Sequence, residues 1–276
     1  MIIENFIQFE NVTFSYPVDG DEPTKNIFQN FSASLPGGFV CLIGPNGSGK
    51  STFMLLASGR LVPTQGMITL FNEDIVSKTE EKRNLSATVM YQNMEFETTD
   101  ITRDVLEEVW QNGLKILKNK DEELKELISV FELDSILDRP VNKLSKGEMQ
   151  RTLLAFSILY GSRSIFMDEP LFAMEHHQKQ KALEFLKKYS KNYGVAIYIS
   201  MHELELSRKY ADNVLLFYPN RDIDFGTPEE ILEKESLEKA YGIPVAMLKD
   251  AESLNRKVLM EQNQEIENNK STIDSK

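Results

Sequence analysis

The stretch Gly44-Pro45-Asn46-Gly47-Ser48-Gly49-Lys50-Ser51 decides the fold class of this chain, because it fits the phosphate-binding pattern G-x-x-x-x-G-K-[ST] at every fixed position. The apolar run before it, residues 39–43, has the length of a strand, and residues 51–56 after it can begin a helix. Glycines allow a loop to turn its backbone N–H groups toward an anion, and a helix N-terminus adds positive charge. The pattern therefore predicts a site for nucleotide phosphates, the alternative being an ordinary glycine-rich turn.

The same pattern assigns separate roles to side chains of this loop. Lys50 can reach the β- and γ-phosphates of a nucleotide, and the hydroxyl of Ser51 can bind Mg²⁺. The residues of this stretch that we expect to contact the nucleotide are Gly44, Asn46, Gly47, Ser48, Gly49, Lys50, Ser51 and Thr52.

The composition is that of a globular protein. The 276 residues are 41% hydrophobic and 27% charged, and a chain of this length can bury one large core or two modest ones. With 31 Lys and Arg against 43 Asp and Glu, the formal charge is −12. Because contacts to nucleic-acid phosphates need a basic surface, we expect no nucleic-acid partner, although a local basic patch is compatible with this balance.

Cysteine content and hydropathy bear on the compartment. The single Cys41 lies in the strand predicted before the loop, where we expect a small hydrophobic role, and one cysteine forms no intrachain disulfide. No run approaches the ~18–20 apolar residues of a membrane span, and residues 1–5 lack the basic start of a signal peptide. We therefore expect a soluble protein of the reducing cytoplasm that meets a membrane only through a partner.

Strand-like runs alternate with helical patterns along most of the chain. Two runs ahead of the loop, 6–14 and 27–35, alternate loosely between apolar and polar residues and favour antiparallel strands. Further runs of strand length lie at residues 67–71, 85–91, 164–167, 195–200 and 214–218. Continuous β-rich runs such as 195–200 fit strands buried on both faces of a parallel sheet, with helices as crossovers. The expected fold class is therefore α/β.

The pattern changes to helical periods between residues 101 and 159. A helical block between two strand-rich halves predicts an inserted subdomain, at about residues 95–160 of a domain that spans 1–250. Residues 251–276 are polar and poor in aromatic side chains, so we expect a frayed helix followed by disorder in this tail.

Two carboxylates follow the strand-like run 164–167. Asp168, downstream of a phosphate loop, can be a second Mg²⁺ ligand, and Glu169 beside it can polarise an attacking water. An Asp-Glu pair at the end of a strand is more often only a turn. The phosphate loop and the preceding strand favour the functional interpretation.

Three other features of the sequence, two single residues and one pair, admit two interpretations each. Tyr16 could offer a flat face to a nucleotide base or be an amphipathic residue at a strand edge. Gln92 could touch Mg²⁺ or the attacking water, or be a buried hydrogen-bonding residue. Ser145 and Glu148 have the spacing of a capping box, and a capped helix N-terminus is also an anion site.

The whole set of motifs resembles that of the nucleotide-binding subunits of ABC transporters. The stretch 44–52 matches the Walker A motif of that family, Leu144-Ser145-Lys146-Gly147-Glu148 resembles its LSGGQ signature, and residues 164–170 resemble its Walker B motif with the catalytic glutamate. Tyr16, Gln92 and His202 then fall at the A-loop, the Q-loop and the switch histidine. Their order and spacing extend over residues 6 to about 245, which is far more specific than any single motif.

The resemblance implies a P-loop NTPase core with a mainly parallel sheet, an N-terminal antiparallel β subdomain and an inserted α-helical subdomain. It implies that Tyr16 stacks on the adenine of ATP, that Glu169 activates water and that His202 senses the γ-phosphate. The residues that it assigns to Mg²⁺ are Ser51, Gln92 and Asp168. The residues that it assigns to ATP held by a second, head-to-tail subunit are Ser145, Gly147 and Glu148.

Three positions depart from the commonest choices of the family. Lys146 and Glu148 stand where Gly and Gln are commonest in the signature, while Ser145 and Gly147 are retained. Glu175 stands where Asp is usual in the D-loop and lengthens a carboxylate expected at the dimer interface. We expect this change to affect the coupling of two sites rather than hydrolysis.

Within the family, residues 201–212, 225–232 and 240–243 resemble the ATPases of iron-siderophore, haem and cobalamin importers. The resemblance implies an ATP-hydrolysing subunit that powers translocation through a separate membrane permease, with an iron chelate, haem, cobalamin or metal as the imported substrate. The implied partners are that permease and a second copy or a homologous ATPase subunit. The implied location is the cytoplasm, on the inner face of the cell membrane.

Rival functions within the family make different demands on the sequence. An ABC ATPase of DNA repair would need a long coiled-coil insert, but only about ninety residues separate Lys50 from Leu144, without sustained heptads. A translation-type ABC factor would need two cassettes, and one phosphate loop is present. An exporter subunit uses the same parts as an importer subunit and stays an alternative.

Overall fold

The computed structural model describes residues 6–17, 26–92, 94, 96, 98–114 and 119–248, so the tail predicted at 251–276 lies outside the described residues. Its strands are β1 (Ile7–Phe14), β2 (Phe28–Leu35), β3 (Phe39–Ile43), β4 (Gln65–Leu70), β5 (Glu73–Asp74), β6 (Ala87–Met90), β7 (Ser164–Met167), β8 (Ala196–Ser200), β9 (Asn213–Phe217) and β10 (Ile223–Gly226). Its helices are α1 (Lys50–Ala57), α2 (Glu80–Ser86), α3 (Thr102–Asn112), α4 (Lys120–Val130), α5 (Lys146–Tyr160), α6 (His176–Tyr193), α7 (Leu204–Tyr210), α8 (Pro228–Ile231) and α9 (Lys234–Tyr241).

The larger sheet carries the strands of the predicted nucleotide site. Its order is β10-β9-β3-β8-β7-β6, with parallel pairing throughout except for the antiparallel edge strand β10. Every residue of β3, β7 and β8 is buried, as expected for continuous apolar runs covered on both faces. Because parallel strands run the same way, the segments that leave β3, β7 and β8 meet at one edge of the sheet.

A smaller antiparallel sheet, with the order β2-β1-β4-β5, confirms the prediction for the segment ahead of the loop. Phe53 of α1 stacks on Phe9 of β1, with ring centroids 4.9 Å apart, and meets Phe217 of β9 edge-on at 5.6 Å. The helix behind the phosphate loop is therefore held by aromatic contacts from both sheets.

Helices α3, α4 and α5 lie between β6 and β7 in the chain, where the sequence shows helical periods. Short 3₁₀ turns at Asp134–Ile136 and Val141–Lys143 precede α5. Helix α5 is mostly buried, and α3 and α4 pack against it. The N-terminus of α5, which holds the predicted signature, is thus fixed by packing of the whole block.

The structure corrects the strand predicted at 85–91. Residues up to Ser86 belong to α2, and only Ala87–Met90 pair with β7. Thr79 caps α2 by accepting the backbone N–H of Lys82 at 3.4 Å, and acidic residues follow in the first turn. The short helix escaped prediction because one apolar residue, Leu85, continues the alternation of the strand. The sequence analysis also assigned no element to β10, α7, α8 or α9.

Candidate functional site

The phosphate-binding loop leaves β3 at Ile43 and enters α1 at Lys50, which confirms the predicted strand-loop-helix arrangement. Gly44, Gly47 and Gly49 have φ angles of 146°, 73° and 108°, in the region that favours glycine. A Cβ at Gly44 would lie 2.6 Å from the carbonyl oxygen of Phe217, so no larger residue fits there. Backbone geometry therefore requires glycine where the sequence pattern has it.

Lys50 is only 6% exposed. Its Nζ donates to the carbonyl oxygens of Gly44 and Pro45 at 2.7 and 3.0 Å, inside the curve of the loop. Burial lowers the pKa of Lys50, and the nearby carboxylates of Glu169 and Asp168 act in the opposite direction. The ammonium group is thus held at the loop by acceptors that a nucleotide phosphate can replace.

Other loop side chains differ in exposure. Asn46 and Gly47 form the exposed tip, whereas Ser48 and Thr52 are buried. The hydroxyl of Ser48 is buried and has no hydrogen-bond partner among the described residues. Buried hydroxyls are nearly always bonded, so this one fits a ligand oxygen inside the loop.

Asp168 follows β7 and contacts the phosphate loop. Its Oδ2 accepts the hydroxyl of Ser51 at 2.5 Å, and its Oδ1 accepts the hydroxyl of Ser200 at 2.6 Å. The same Ser200 oxygen accepts the backbone N–H of Glu169 at 2.8 Å. Sequence reasoning placed Ser200 in a strand without a role. Its position at the end of the buried run 195–200, one strand from β7, is the signal that could have found it.

The other two predicted catalytic residues both contact the carboxylate of Glu169. Gln92 Nε2 donates to its Oε2 at 2.9 Å, and His202 Nε2 lies 2.9 Å from its Oε1. Burial raises the pKa of Glu169, but the hydrogen bonds of His202 and Gln92 and the charge of Lys50 outweigh burial, so the pKa lies below its ordinary value. The structure therefore brings Gln92, Glu169 and His202 together, as the resemblance to the family implied.

The backbone at Glu169 is unusual, with a φ of 49°. Its carbonyl oxygen accepts Nε2 of Gln150, in α5, at 3.2 Å, and its N–H is bonded to Ser200. A left-handed conformation is costly for glutamate and persists only where neighbours fix it. Two buried polar side chains, Gln150 and Ser200, do so here.

Tyr16 follows β1 and borders α1. Its ring is 43% exposed and meets Phe14 edge-on at 5.0 Å, while its hydroxyl lies 3.1 Å from Oγ1 of Thr52. An exposed aromatic face beside the loop is compatible with base stacking. Arg221 Nη1 donates to the carbonyl oxygen of Gly47 in the loop, a contact that sequence reasoning missed.

The signature residues form a capped helix start, as their spacing predicted. The Ser145 hydroxyl accepts the N–H of Glu148 at 3.4 Å, and the Ser145 N–H donates to Glu148 Oε2 at 2.8 Å. Arg139 adds an ion pair to Glu148 Oε1 at 2.7 Å and a bond to the carbonyl oxygen of Lys143 at 2.7 Å. Burial raises the pKa of Glu148, but the bonds from Ser145 and Arg139 bring it below its ordinary value.

Gly147 of the signature packs against the segment that follows β7. A Cβ at Gly147 would lie 2.9 Å from the carbonyl oxygen of Ala173, so close approach of the two segments requires glycine. Lys146 Nζ lies 5.6 Å from the centre of the Phe172 ring. Within the described residues, the side-chain hydrogen bonds of Ser145 and Glu148 go to each other and to Arg139, not to the loop of residues 44–51.

Sequence comparison matches residues 28–172, more than half of the chain, to the family of the ABC transporter domain. The chain belongs to this family. It is 29% identical over 237 residues to the hemin import ATP-binding protein HmuV of Escherichia coli O157:H7, covering 82% of this chain and 90% of that protein. It is 30% identical over 238 residues to an ABC transporter ATP-binding protein of Archaeoglobus fulgidus, covering 86% and 97%. This ABC ATPase is therefore an ATP-binding cassette of the transporter type.

Solved ABC cassettes share the fold. One is an inward-facing ABC transporter described as of the metal-chelate type, with a TM-score of 0.67, 21% identity and coverage of 88% of this chain and 90% of that chain. Another is a dimeric bacterial ABC transporter cassette, with a TM-score of 0.68, 20% identity and coverage of 80% and 98%. These likenesses confirm the α/β cassette fold. In the part of the ABC ATPase that the structure describes, no helix has the length and apolar character needed to cross a membrane.

Proposed function

We propose that this ABC ATPase hydrolyses ATP at the carboxyl edge of its parallel sheet to power transport through a separate membrane permease. The observation that carries the proposal is the placement of Glu169. Its carboxylate lies between Gln92 and His202, at 2.9 Å from each, one residue after an aspartate that bonds Ser51 of the phosphate loop. A carboxylate so placed can accept the proton of a water that attacks the γ-phosphate.

The phosphate chain of ATP is bound by the loop in this proposal. The buried Lys50 ammonium and the Ser48 hydroxyl supply donors, and backbone N–H groups at the start of α1 supply more. The exposed ring of Tyr16 stacks on adenine, and its hydroxyl, bonded to Thr52, orients the ring. The exposure of the Tyr16 ring and the lack of a described hydrogen-bond partner for the Ser48 hydroxyl are consistent with these contacts to ATP.

The residues at the loop fit a magnesium ion. Mg²⁺ prefers oxygen ligands and is bound by one or two protein groups together with substrate phosphates. Ser51 Oγ and Asp168 Oδ2 are 2.5 Å apart and provide such oxygens, and Gln92, whose amide nitrogen faces Glu169, can supply its carbonyl oxygen. When bound, the ion would neutralise charge on the β- and γ-phosphates.

The protonation state of Glu169 suits a base. Because its pKa lies below the ordinary value, the side chain is an anion near neutral pH and can accept a proton. The attacking water gives its proton to Glu169 while its oxygen bonds to phosphorus and ADP leaves with the electron pair of the broken P–O bond. Gln92 and His202 hold the carboxylate in position during this step. We also assign contact with the γ-phosphate to His202, as the resemblance to the family implies.

Two subunits are required in this proposal. Ser145, Gly147 and Glu148 lie at a capped helix N-terminus, and in the part of the chain that the structure describes its capping hydrogen bonds do not involve the loop of residues 44–51. A helix N-terminus offers N–H groups and positive charge to an anion. We assign these three residues to ATP held by a second copy of this chain or a homologous ATPase subunit, in a head-to-tail dimer.

Import of an iron chelate, haem, cobalamin or metal is the transport function we propose. The support is similarity to a hemin import protein and to a structure of metal-chelate type. The permease would hold the ABC ATPase on the inner face of the cell membrane. The genes beside its own test the direction of transport: a permease together with a substrate-binding protein supports import, and an exporter permease without a binding protein contradicts it.

Two variants test the catalytic assignment. Lys50→Ala should abolish binding of ATP, because the loop loses its cation. Glu169→Gln should retain binding, lose hydrolysis and accumulate an ATP-bound dimer, because the amide cannot accept a proton. Equilibrium binding of a fluorescent ATP analogue, phosphate release and analytical ultracentrifugation measure these three properties. Hydrolysis by Glu169→Gln at a rate near wild type would refute the assignment.

A further inference from the structure

An ion pair outside the proposed chemistry, between a buried lysine and a partly exposed glutamate, joins α6 to the residue that precedes α7. Lys179, in the first turns of α6, is 3% exposed, and its Nζ is bonded to Oε1 of Glu203. Lysine is almost never fully buried unless it is paired, because removing an ammonium group from water is costly. None of the steps of ATP binding or hydrolysis described above uses this lysine.

Each end of the pair is anchored next to a residue of the proposed mechanism. On one side, the N–H of Lys179 donates to the carbonyl oxygen of Glu175 at 2.9 Å, so Lys179 is one turn beyond the segment expected at the dimer interface. On the other side, Glu203 directly follows His202 and precedes α7. Its carbonyl oxygen accepts the N–H and the hydroxyl of Ser207 at 3.0 and 2.9 Å.

The position of His202 is restrained both by its own contact and by the contacts of its neighbour Glu203. Its Nε2 is 2.9 Å from Glu169 Oε1, and its neighbour Glu203 is fixed at the carboxylate by Lys179 and at the carbonyl by Ser207. An ion pair with a buried lysine contributes little net stability, because its attraction is largely offset by the cost of removing the ammonium group from water. Its main effect is then to fix the position of the segment that it holds.

We infer that Lys179 is a positioning residue that acts through Glu203 to hold His202 against Glu169, so that the switch histidine moves with the helix that follows Glu175. The inference rests on the proposed function, in which His202 and Glu169 act in hydrolysis. Through Lys179, Glu203 and His202, the segment expected at the dimer interface is connected to the catalytic carboxylate of Glu169 in the same subunit. Lys179 touches neither ATP nor the reacting atoms.

Lys179→Met removes the charge and keeps a long unbranched side chain. The variant should bind the fluorescent ATP analogue with wild-type affinity and KM, while kcat falls about ten- to a hundredfold, because small misplacements of catalytic groups have effects of that size. Lys181→Met is the matched control, since Lys181 lies on the same helix in an exposed ion pair with Glu132 at 2.7 Å. Its kcat should stay within about twofold of wild type.

Epistasis with His202 distinguishes positioning from a structural role. In single-turnover measurements, Lys179→Met should lower the rate of wild type but not that of His202→Ala, because the residue acts through the histidine. Lys179→Arg, which keeps the positive charge, should have a single-turnover rate near that of wild type. If Lys179→Met unfolds, as judged by thermal melting, Glu203→Gln takes its place. An unchanged kcat in a folded variant, or an equal loss in both backgrounds, overturns the inference.

A spectroscopic measurement needs no turnover. His202 is one of three histidines, and the ¹⁵N resonance of its Nε2 reports the bond to Glu169. Lys179→Met and Glu203→Gln should shift it, whereas Lys181→Met should not, and an unshifted resonance overturns the inference. His202→Ala with wild-type kcat would instead refute the role of His202 in the proposed function. Loss of activity in His202→Ala together with an unshifted resonance in Lys179→Met refutes the inference alone.

Discussion

The pair Asp168-Glu169 shows how much of a site can be predicted from two neighbouring residues in a sequence. The place of Glu169 after an apolar strand and a phosphate loop predicted a catalytic carboxylate, and the structure puts Gln92 and His202 on its two oxygens. The left-handed backbone of Glu169 and its bonds to Ser200 and Gln150 were not predictable. These contacts join segments far apart in the chain, and serine or glutamine in a buried element has no local pattern that marks it as a support.

Ser200→Ala tests this support. The change removes the acceptor of the Glu169 N–H and the hydroxyl that donates to Asp168 Oδ1, at a cost of about 1–3 kcal/mol in the free energy of unfolding. We also expect kcat to fall more than KM rises, because both carboxylates are displaced. Urea unfolding and steady-state kinetics measure the two effects.

Ser157→Ala is the control for this prediction. Ser157 is also buried, but among the described residues its hydroxyl bonds only to the carbonyl oxygen of Leu153 within α5, at 2.9 Å. Loss of a buried hydroxyl alone should therefore leave kcat near wild type. If Ser157→Ala lowered kcat as much as Ser200→Ala, support of the carboxylates would not explain the effect.

Tyr16 provides a second test at the residue scale. Stacking of an aromatic side chain on a base is worth about 1–3 kcal/mol, so Tyr16→Ala should weaken the affinity for ATP about ten- to a hundredfold. Tyr16→Phe keeps the ring and loses only the bond to Thr52, so its Kd should change little. Isothermal titration with a non-hydrolysable analogue measures both. An equal loss in both variants would assign the affinity to the hydroxyl.

Strands and helices with a regular hydrophobic pattern were predicted from the sequence, and those with an irregular or short pattern were not. The continuous apolar run of β3 was located residue for residue, because burial on both faces leaves no polar residue to interrupt it. Helix α2 was missed, since it is short and its apolar residue Leu85 fits the adjoining strand. The antiparallel edge strand β10 was also missed, because it has only four residues, all partly or fully exposed, and only two of them, Ile223 and Phe225, have apolar side chains.

The start of α5 gives a prediction at the element scale. Glu148 stands where the family commonly has Gln, and Arg139 is paired with it at 2.7 Å. Arg139→Ala should lower stability by about 1 kcal/mol, because the arginine is partly exposed, and should weaken the ATP-bound dimer more strongly. The unpaired charge of Glu148 would then repel the phosphates of the partner's ATP. Adding Glu148→Gln to Arg139→Ala should restore dimerisation.

Ultracentrifugation in a Glu169→Gln background measures this effect, because that variant should trap the dimer. Arg103→Ala is the matched control, since Arg103 forms an exposed ion pair with Asp138 in the same block at 2.9 Å. Its dimer should be as stable as that of the parent. A double variant that dimerises as poorly as Arg139→Ala alone would exclude charge neutralisation as the role of Arg139.

At the scale of the whole molecule, the sequence predicted the class of protein better than the arrangement of its parts. The order of motifs indicated the family, because each motif has a fixed chemistry at a fixed place in the fold. It could not indicate how the signature lies relative to the loop of residues 44–51. That relation depends on packing of the helical block, and the structure shows the signature hydrogen-bonded within its own block.

The proposed head-to-tail dimer predicts how two variants behave, one with a changed signature and one with a changed phosphate loop. Ser145→Arg should bind ATP as a monomer, because Lys50 and Ser51 are intact, but the long side chain would occupy the place of the partner's phosphate. Lys50→Ala should fail because its own loop cannot bind ATP. Each variant alone should therefore have no ATPase activity.

Mixing the two variants should restore activity. In the heterodimer, the loop with Lys50→Ala faces the signature with Ser145→Arg, so both changes fall in one composite site. The other site combines an intact loop with an intact signature, and a site that turns over alone gives up to half of the wild-type rate per dimer. Phosphate release by mixtures of differently tagged variants, with heterodimer formation followed by fluorescence transfer, measures this. Loss of ATP binding by monomeric Ser145→Arg would contradict the arrangement, because Ser145 would then belong to the pocket of its own subunit.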